Sequence, residues 1–227
     1  MSEIVWPSST GVLKEEKEIC RFDPEKLAYW YFRLNGFLTI ENFVVHPDSG
    51  SAQRTEIDII AARFPYRVEL PSNENPMQDD KRLMLKPDKI RIILAEVKKG
   101  MCKLNPALKN PDKENLQQII SSVGPFEREK IDVVSCKLYK RGYYEDENFL
   151  LSLCCLGQNA NHDISNQLPK VPQLTWDNVL SFIYKRFNRY EIYKRQHQQW
   201  DSTGQNLYKH FQKCDCIEFL ETIEIAQ

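Results

Sequence analysis

Two stretches, TEIDIIA at residues 55–61 and IILAEVKKG at residues 92–100, set acids and a base into otherwise apolar runs. Residues two apart on a strand point the same way. Glu96 and Lys98 therefore share one face with Val97 opposite, and Glu56 and Asp58 share another with Ile57 and Ile59 opposite. If the two strands are neighbours, three carboxylates and a lysine converge on one spot. Isolated buried charges are too costly to keep without compensation. A divalent cation held by oxygens supplies it, since Mg²⁺ takes one or two carboxylates plus water and substrate phosphate. Lys98 could then orient or deprotonate a water, or stabilise developing negative charge. Two carboxylates, a lysine and a metal suit the hydrolysis of a phosphodiester. Taken alone, a Glu-x-Lys triplet reads instead as a salt-bridged strand end, with Glu56 and Asp58 on a solvated face.

The surrounding pattern supplies elements to position these groups. FDPEKLAYWYFRLNGF predicts a helix, with Asp23 as N-cap, Pro24 at the first helical position and Gly36 just past the end. Leu27, Trp30, Tyr31 and Leu34 form one apolar face at i, i+3, i+4 and i+7. FLTIENFVV predicts a strand, HPDSGSAQR a turn or loop, and TEIDIIAARF a second strand. Residues 64–88 contain four prolines and many polar groups and read as an insertion, a loop with a short strand. KIRIILAEVK is the third strand, and PDKENLQQIISSV a helix from near Asp112 to Gly124. IDVVSCKLY and NFLLSLCCLG predict two more strands around the charged turn KRGYYEDE. Past a polar loop at 157–173, Thr175 caps TWDNVLSFIYKRFNRYEIYKR, whose Trp176, Val179, Leu180, Ile183, Phe187 and Tyr190 share a face. This order fits an α/β (α+β) fold, a mixed central sheet flanked by helices. The divisions expected are an N-terminal segment at 1–22, a core at 23–157 interrupted at 64–88, and a helical C-terminal region at 174–227.

Composition narrows the class. A chain of 227 residues, 41% hydrophobic and 28% charged, is long enough for one substantial domain with additions, or for two small ones. No apolar run approaches the roughly 20 residues needed to span a bilayer, and MSEIVWPSSTGVLKEEKEIC lacks the pattern of a signal peptide. The expectation is a cytoplasmic protein without a membrane partner. Seven cysteines and no export signal point to reduced thiols, and the Cys214–Cys216 pair has too few companions for zinc. No Ser-His-Asp arrangement, glycine-rich phosphate loop or HExxH helix is present. His197 and His210 read as surface or satisfied polar residues.

With those elements in place, Asp58 followed after an insertion by Glu96-Val97-Lys98 resembles the PD-(D/E)XK nucleases, a superfamily that includes many restriction endonucleases and archaeal Holliday-junction resolvases. Their core is a helix, three strands, a helix and a strand. TEIDIIA and ILAEVKKG are similar to the GEIDLIA and FVEVK strands of a small bacterial family of resolvase-like proteins. That family carries a glutamate eleven residues before the glycine closing its first helix, the spacing of Glu25 and Gly36. The resemblance covers residues 23–123 and the strand at 148–156. It implies a restriction-endonuclease-like fold with a helical C-terminal extension, and a Mg²⁺- or Mn²⁺-dependent nuclease acting on DNA in restriction, defence or repair. By it, Asp58 and Glu96 are metal ligands assisted by the Val97 carbonyl, Lys98 is the catalytic lysine, and Glu25 an accessory acid reaching the metal through water. Gln117 or Gln118 matches a glutamine that some members use. Glu56 reads as an accessory acid or a partner of Arg54. Many relatives cut duplexes as dimers, so a homodimer or a larger complex is in view. Three departures stand out: no proline precedes Asp58, residues 64–88 lengthen the gap between the motif strands, and the helical C-terminal third has no counterpart in the minimal resolvases.

The net charge, 31 basic minus 32 acidic residues, is −1 and gives no global argument for nucleic acid. Basic density is local. Lys98, Lys99 and Lys103 follow the motif strand, and YKRFNRYEIYKR at 184–195 interleaves aromatics with Lys185, Arg186, Arg189, Lys194 and Arg195. Phosphate neutralisation and base stacking need those residue types. An amphipathic helix with solvated charges is the plainer alternative. A nuclease-fold subunit that binds without cutting is the second functional expectation.

Overall fold

The computed structural model describes residues 18–46, 55–70, 72–74, 77–195 and 201–226, without the side chain of residue 194. Asp23 caps the first helix as expected, its carboxylate accepting the Lys26 N–H at 3.0 Å, and Pro24 opens α1 (Pro24–Leu34). Strands β2 (Leu38–Val45), β3 (Thr55–Arg63) and β4 (Ile90–Val97) follow, close to the predicted bounds. A three-residue strand, β1 (Cys20–Phe22), precedes them.

The next expected helix begins at Asn115 rather than near Asp112, because Pro111–Lys113 is a separate 3₁₀ turn capped by Asn110. It forms α2 (Asn115–Val123), closed by left-handed Gly124. The predicted strand at 131–139 is a helix instead, α3 (Arg128–Arg141). Its β-branched residues suggest a strand, but Val134 and Leu138, one turn apart, are its fully buried apolar side chains, while the neighbouring Val133 is exposed. Packing on α2 overrides local propensity there. The charged turn holds β5 (Tyr143–Glu145), ahead of β6 (Phe149–Gly157). Then come α4 (His162–Gln167), β7 (Gln173–Thr175), α5 (Trp176–Arg189), α6 (Glu191–Lys194), α7 (Ser202–Phe211), α8 (Cys216–Thr222) and β8 (Ile223–Ile225). Thr175 caps α5 as predicted.

The central sheet runs β2-β3-β4-β6-β5, with β7 also on β6. Pairs β2–β3, β3–β4 and β5–β6 are antiparallel, and β4–β6 and β6–β7 parallel, so the sheet is mixed. Helices α1 and α5 cover the face carrying Ile59, Ala95 and Val97. Helices α2 and α3 cover the face carrying Ile60, Leu94 and Cys155. Strand β1 pairs with β8 in parallel, and Phe187, Leu207, Phe211 and Phe219 share a core with α1. The C-terminal helices thus belong to the same core as the sheet. Among the described residues of the insertion there is no strand, only a 3₁₀ turn at Lys81–Leu83. No helix among the described residues is long and apolar enough to cross a membrane.

The loop leaving β4 is seated against the end of β6. Gln158 N–H donates to the Gly100 carbonyl, and Cys102 N–H donates to the Asn159 carbonyl at 2.8 Å. Gly157 permits this approach: a Cβ there would lie 2.5 Å from the Gly100 carbonyl oxygen and 2.8 Å from the Cys102 nitrogen. Gly157→Ala is therefore expected to destabilise the protein by about 1–3 kcal/mol, an overpacking cost, measured by urea denaturation. An unchanged midpoint would show that the loop is not held this closely.

Candidate active site

The register of β3 on β4 pairs Ile59 with Ala95, Ile60 with Leu94 and so on toward Arg63 with Arg91. One step further would set Asp58 across from Glu96, but the ladder stops there. The Val97 N–H donates instead to the Asp58 carboxylate, Oδ2, at 2.7 Å. A side chain has replaced the backbone carbonyl as acceptor, and the two strands part. Sidedness changes at the same point: Ile59 packs with α1 and α5, whereas Ile57 packs with Ile60 on the other side. The expectation that Ile57 and Ile59 share a face is corrected, because the strand is broken at Asp58.

Three charged groups meet at this break. Asp58 is 8% exposed and Glu96 1%. The Lys98 ammonium lies 3.0 Å from Asp58 Oδ2 and 3.1 Å from Glu96 Oε2. Burial, then the Asp58 charge, push the Glu96 carboxyl up to about 7, against the pull of Lys98. Burial alone would lower the Lys98 ammonium, but Glu96 and Asp58 outweigh it and hold the group above its ordinary range. Lys98 therefore stands here as a cation, hydrogen-bonded to Asp58 and paired with Glu96. Glu25, half-buried in the first turn of α1, is raised by burial and next by Asp58. It faces the same field.

The chain's own atoms fit a hard divalent ion. Glu96 Oε1 is buried with no hydrogen-bond partner, an acceptor that a cation would satisfy. The N–H and C=O of a strand residue leave on the same side, so the Val97 carbonyl also faces the gap opened at Asp58. Among the described residues no three His, Cys, Asp or Glu side chains form a metal-holding group. The donor set is two carboxylates and a backbone carbonyl, which suits an ion that keeps several waters.

Other predicted residues lie as follows. Glu56 is exposed, and its charge adds to the upward push on Glu96; Arg54, its suggested partner, falls outside the described residues, as does His197. Gln117 and Gln118 are half-buried on α2, and Gln117 Oε1 accepts from the Tyr139 hydroxyl at 3.3 Å rather than pointing to Asp58 or Glu96. Lys99 and Lys103 are exposed just beyond the site, and the Lys99 carbonyl accepts from Trp176 Nε1 at 3.2 Å. His210 is buried and bonded to Thr222, a satisfied polar residue.

Helix α5 does not supply a basic arm here. From Trp176 beside Lys99 it runs about 20 Å to the opposite end of the sheet. There Arg186 is 1% exposed, reaches Asp79 at 2.7 Å and Glu69 at 3.5 Å, and stacks on Phe182 and Tyr190. The expected nucleic-acid contact by Arg186 is corrected: its guanidinium is a buried anchor for the insertion. Lys185 and Arg189 are exposed but sit at that far end. Conversely, Asn42 was not singled out by sequence, yet it lies across from Asp58 with a left-handed backbone, φ 50°. An asparagine inside a strand pattern was the available signal.

In comparisons with known proteins, no family model, no curated protein and no solved structure matches the chain.

Two outcomes follow from the buried charges. A carboxyl raised above its unfolded value favours folding while protonated; for Glu96 that contribution is complete below about pH 4.5 and is lost as pH rises through about 7. Glu96→Gln lacks this titration, so its stability relative to wild type should rise between pH 5 and pH 8 by up to about 3 kcal/mol. Denaturation curves at both pH values test this, and a pH-independent difference would contradict it. Arg186→Ala should cost about 2–5 kcal/mol by emptying the space its buried side chain fills between Phe182 and Tyr190 and removing one of the cations on Asp79, while Lys185→Ala stays within about 0.5 kcal/mol. Equal effects on stability would overturn the anchor role.

Proposed function

We propose that the protein is a metal-dependent nuclease that hydrolyses phosphodiester bonds with Mg²⁺ or Mn²⁺, DNA being the favoured substrate. One observation carries this reading: Asp58 and Glu96 face each other where two strands part, with an unsatisfied buried oxygen on Glu96 and Lys98 between them. Burying a carboxylate oxygen without a partner is costly, and a cation at Glu96 Oε1 would offset that cost. The resemblance of TEIDIIA and ILAEVKKG to PD-(D/E)XK strands supports the same chemistry, and the mixed sheet flanked by helices is compatible with it.

In this reading Asp58, Glu96 and the Val97 carbonyl hold the cation. Bound there, the metal supplies Lewis-acid stabilisation of the charge that develops on the scissile phosphate. Lys98 stays protonated, donates a hydrogen bond to the attacking water or to a phosphate oxygen, and adds a positive charge where negative charge grows. Its side chain is 36% exposed, so the ammonium has room to turn from the carboxylates toward substrate. Lys99 and Lys103, exposed on the chain leaving the site, neutralise neighbouring phosphates. Glu25 acts through water from the first turn of α1. Restriction, defence or repair, and action as a homodimer or in a larger complex, follow from the resemblance.

The second reading is a nuclease-fold subunit that binds without cutting. It draws on the Lys98 ammonium, which pairs with both carboxylates at once and compensates their charge without any metal.

Purified protein incubated with plasmid, linear duplex, single-stranded and branched DNA and with RNA distinguishes the two. Cleavage is expected with Mg²⁺ or Mn²⁺, abolished by EDTA, and reduced at least about 100-fold in Glu96→Ala and Lys98→Ala. Cleavage that persists in both variants would sink the site assignment. Binding without cleavage by wild type would favour the non-cutting subunit.

A further inference from the structure

Strand β2 carries a residue that its sequence does not explain. Asn42 lies mid-strand, has φ 50°, and is not a glycine. Left-handed backbone inside a strand is uncommon for a residue with a Cβ, and asparagine is among the few that tolerate it. The pairing brackets the position closely. Glu41 pairs with Ile59 and Phe43 with Ile57, which leaves Asn42 and Asp58 facing each other without a ladder pair.

Both strands change sides there. On the near side of the break, Glu41 reaches α1 through Lys26, and Ile59 packs with α1 and α5. Beyond it, Phe43, Val45 and Ile57 all pack in the opposite core with Ile60. Alternation along a strand has a period of two, so a side change at one residue in each of two paired strands requires a local backbone reversal. Asn42 provides that reversal. Asp58, opposite it, is the residue that also ends the ladder with β4 and turns its carboxylate to the Val97 N–H. The Asn42 amide lies close enough to the Glu25 carboxylate to oppose its upward shift, and the adjacent Glu41 pairs with Lys26 at 2.5 Å. Two consecutive residues of β2 thus face two consecutive residues in the first turn of α1, and one of the pairs is a salt bridge.

We propose that Asn42 is a positioning residue of the Asp58–Glu96 site: its left-handed backbone makes the break that frees the Asp58 carboxylate, and its amide holds Glu25 beside that carboxylate. This rests on the nuclease reading of the site. It assigns Asn42 no contact with metal or substrate. Its backbone and its side chain act separately, and substitution can separate them. Glycine keeps the left-handed conformation and removes the amide, whereas valine opposes that conformation and removes the amide too.

The test is a double-mutant cycle on nuclease turnover with Mg²⁺, using Asn42→Gly, Glu25→Ala and the double variant, with thermal unfolding measured alongside. Asn42→Gly is expected to unfold within a few degrees of wild type and to lose about tenfold in turnover, in the range for groups that orient metal-site residues. In the Glu25→Ala background it should cost nothing further, because the amide acts through Glu25. Asn42→Val should lose more turnover than Asn42→Gly, or fail to fold; turnover equal to that of Asn42→Gly would remove the backbone role. Fully additive losses for Asn42→Gly and Glu25→Ala, in a wild type that cleaves, would overturn the positioning role and leave the nuclease reading standing. A wild type that cleaves no substrate with Mg²⁺ or Mn²⁺ would overturn both.

Discussion

A single carboxylate oxygen organises the centre of this molecule. Asp58 Oδ2 accepts the Val97 N–H at 2.7 Å and the Lys98 ammonium at 3.0 Å. The first contact ends the β3–β4 ladder while leaving the Val97 N–H paired, which a buried amide requires. The second holds a lysine at the mouth of the gap. A buried carboxylate is tolerated only with such compensation, and its uncompensated remainder shows in the neighbours: Glu96 and Glu25 are both pushed upward by the Asp58 charge as well as by burial. The end of the ladder and the seat of the Lys98 ammonium both turn on this one oxygen, whose charge adds to the burial that raises Glu96 and Glu25.

An open strand end needs a rigid opposite end, and the structure has one. Arg91 is fully buried and has four donor contacts, to the Leu83, Ile92 and Leu150 carbonyls and the Ser152 hydroxyl. It carries no carboxylate partner among those contacts, so backbone dipoles solvate the charge. Beside it, Arg63 and Arg186 share Asp79, and Tyr31 bonds Asp80 at 3.0 Å, which fastens the 64–88 insertion to the sheet and to α1. Helix α5 links the two ends, from Trp176 on the Lys99 carbonyl to Arg186 on Asp79. The polar clamp at one end and the packed helix leave the Asp58 end as the place where strands can separate without loss of the core.

Much of this was legible in sequence because local rules and global fold agree. Helix α1 has its cap, its proline and its closing Gly36; β4 is apolar from Ile92 to Ala95; and α5 has Thr175 and a periodic apolar face. Adjacency of β3 and β4 was enough to bring Asp58, Glu96 and Lys98 together, although period-two sidedness fails at Asp58 itself. What escaped the sequence depends on distance or on packing. Strands β1 and β8 are three residues each and pair from opposite ends of the chain. Residues 131–139 have strand-like composition but are helical through Val134 and Leu138 against α2. Arg186 sat in a basic run, although Phe182, Arg186 and Tyr190 at i, i+4 and i+8 form the stack that buries it. The side change at Asn42 has no glycine to announce it. The pairing of Lys98 with two carboxylates is set by their positions in space, which no spacing rule reports.

The most direct measurement is an anomalous-difference map from crystals soaked in Mn²⁺. A peak bounded by the Asp58 and Glu96 carboxylates and the Val97 carbonyl, with the Lys98 ammonium turned away from Glu96, is the predicted result. An undisturbed Lys98 bridge with no Mn²⁺ between Asp58 and Glu96 would contradict the assignment.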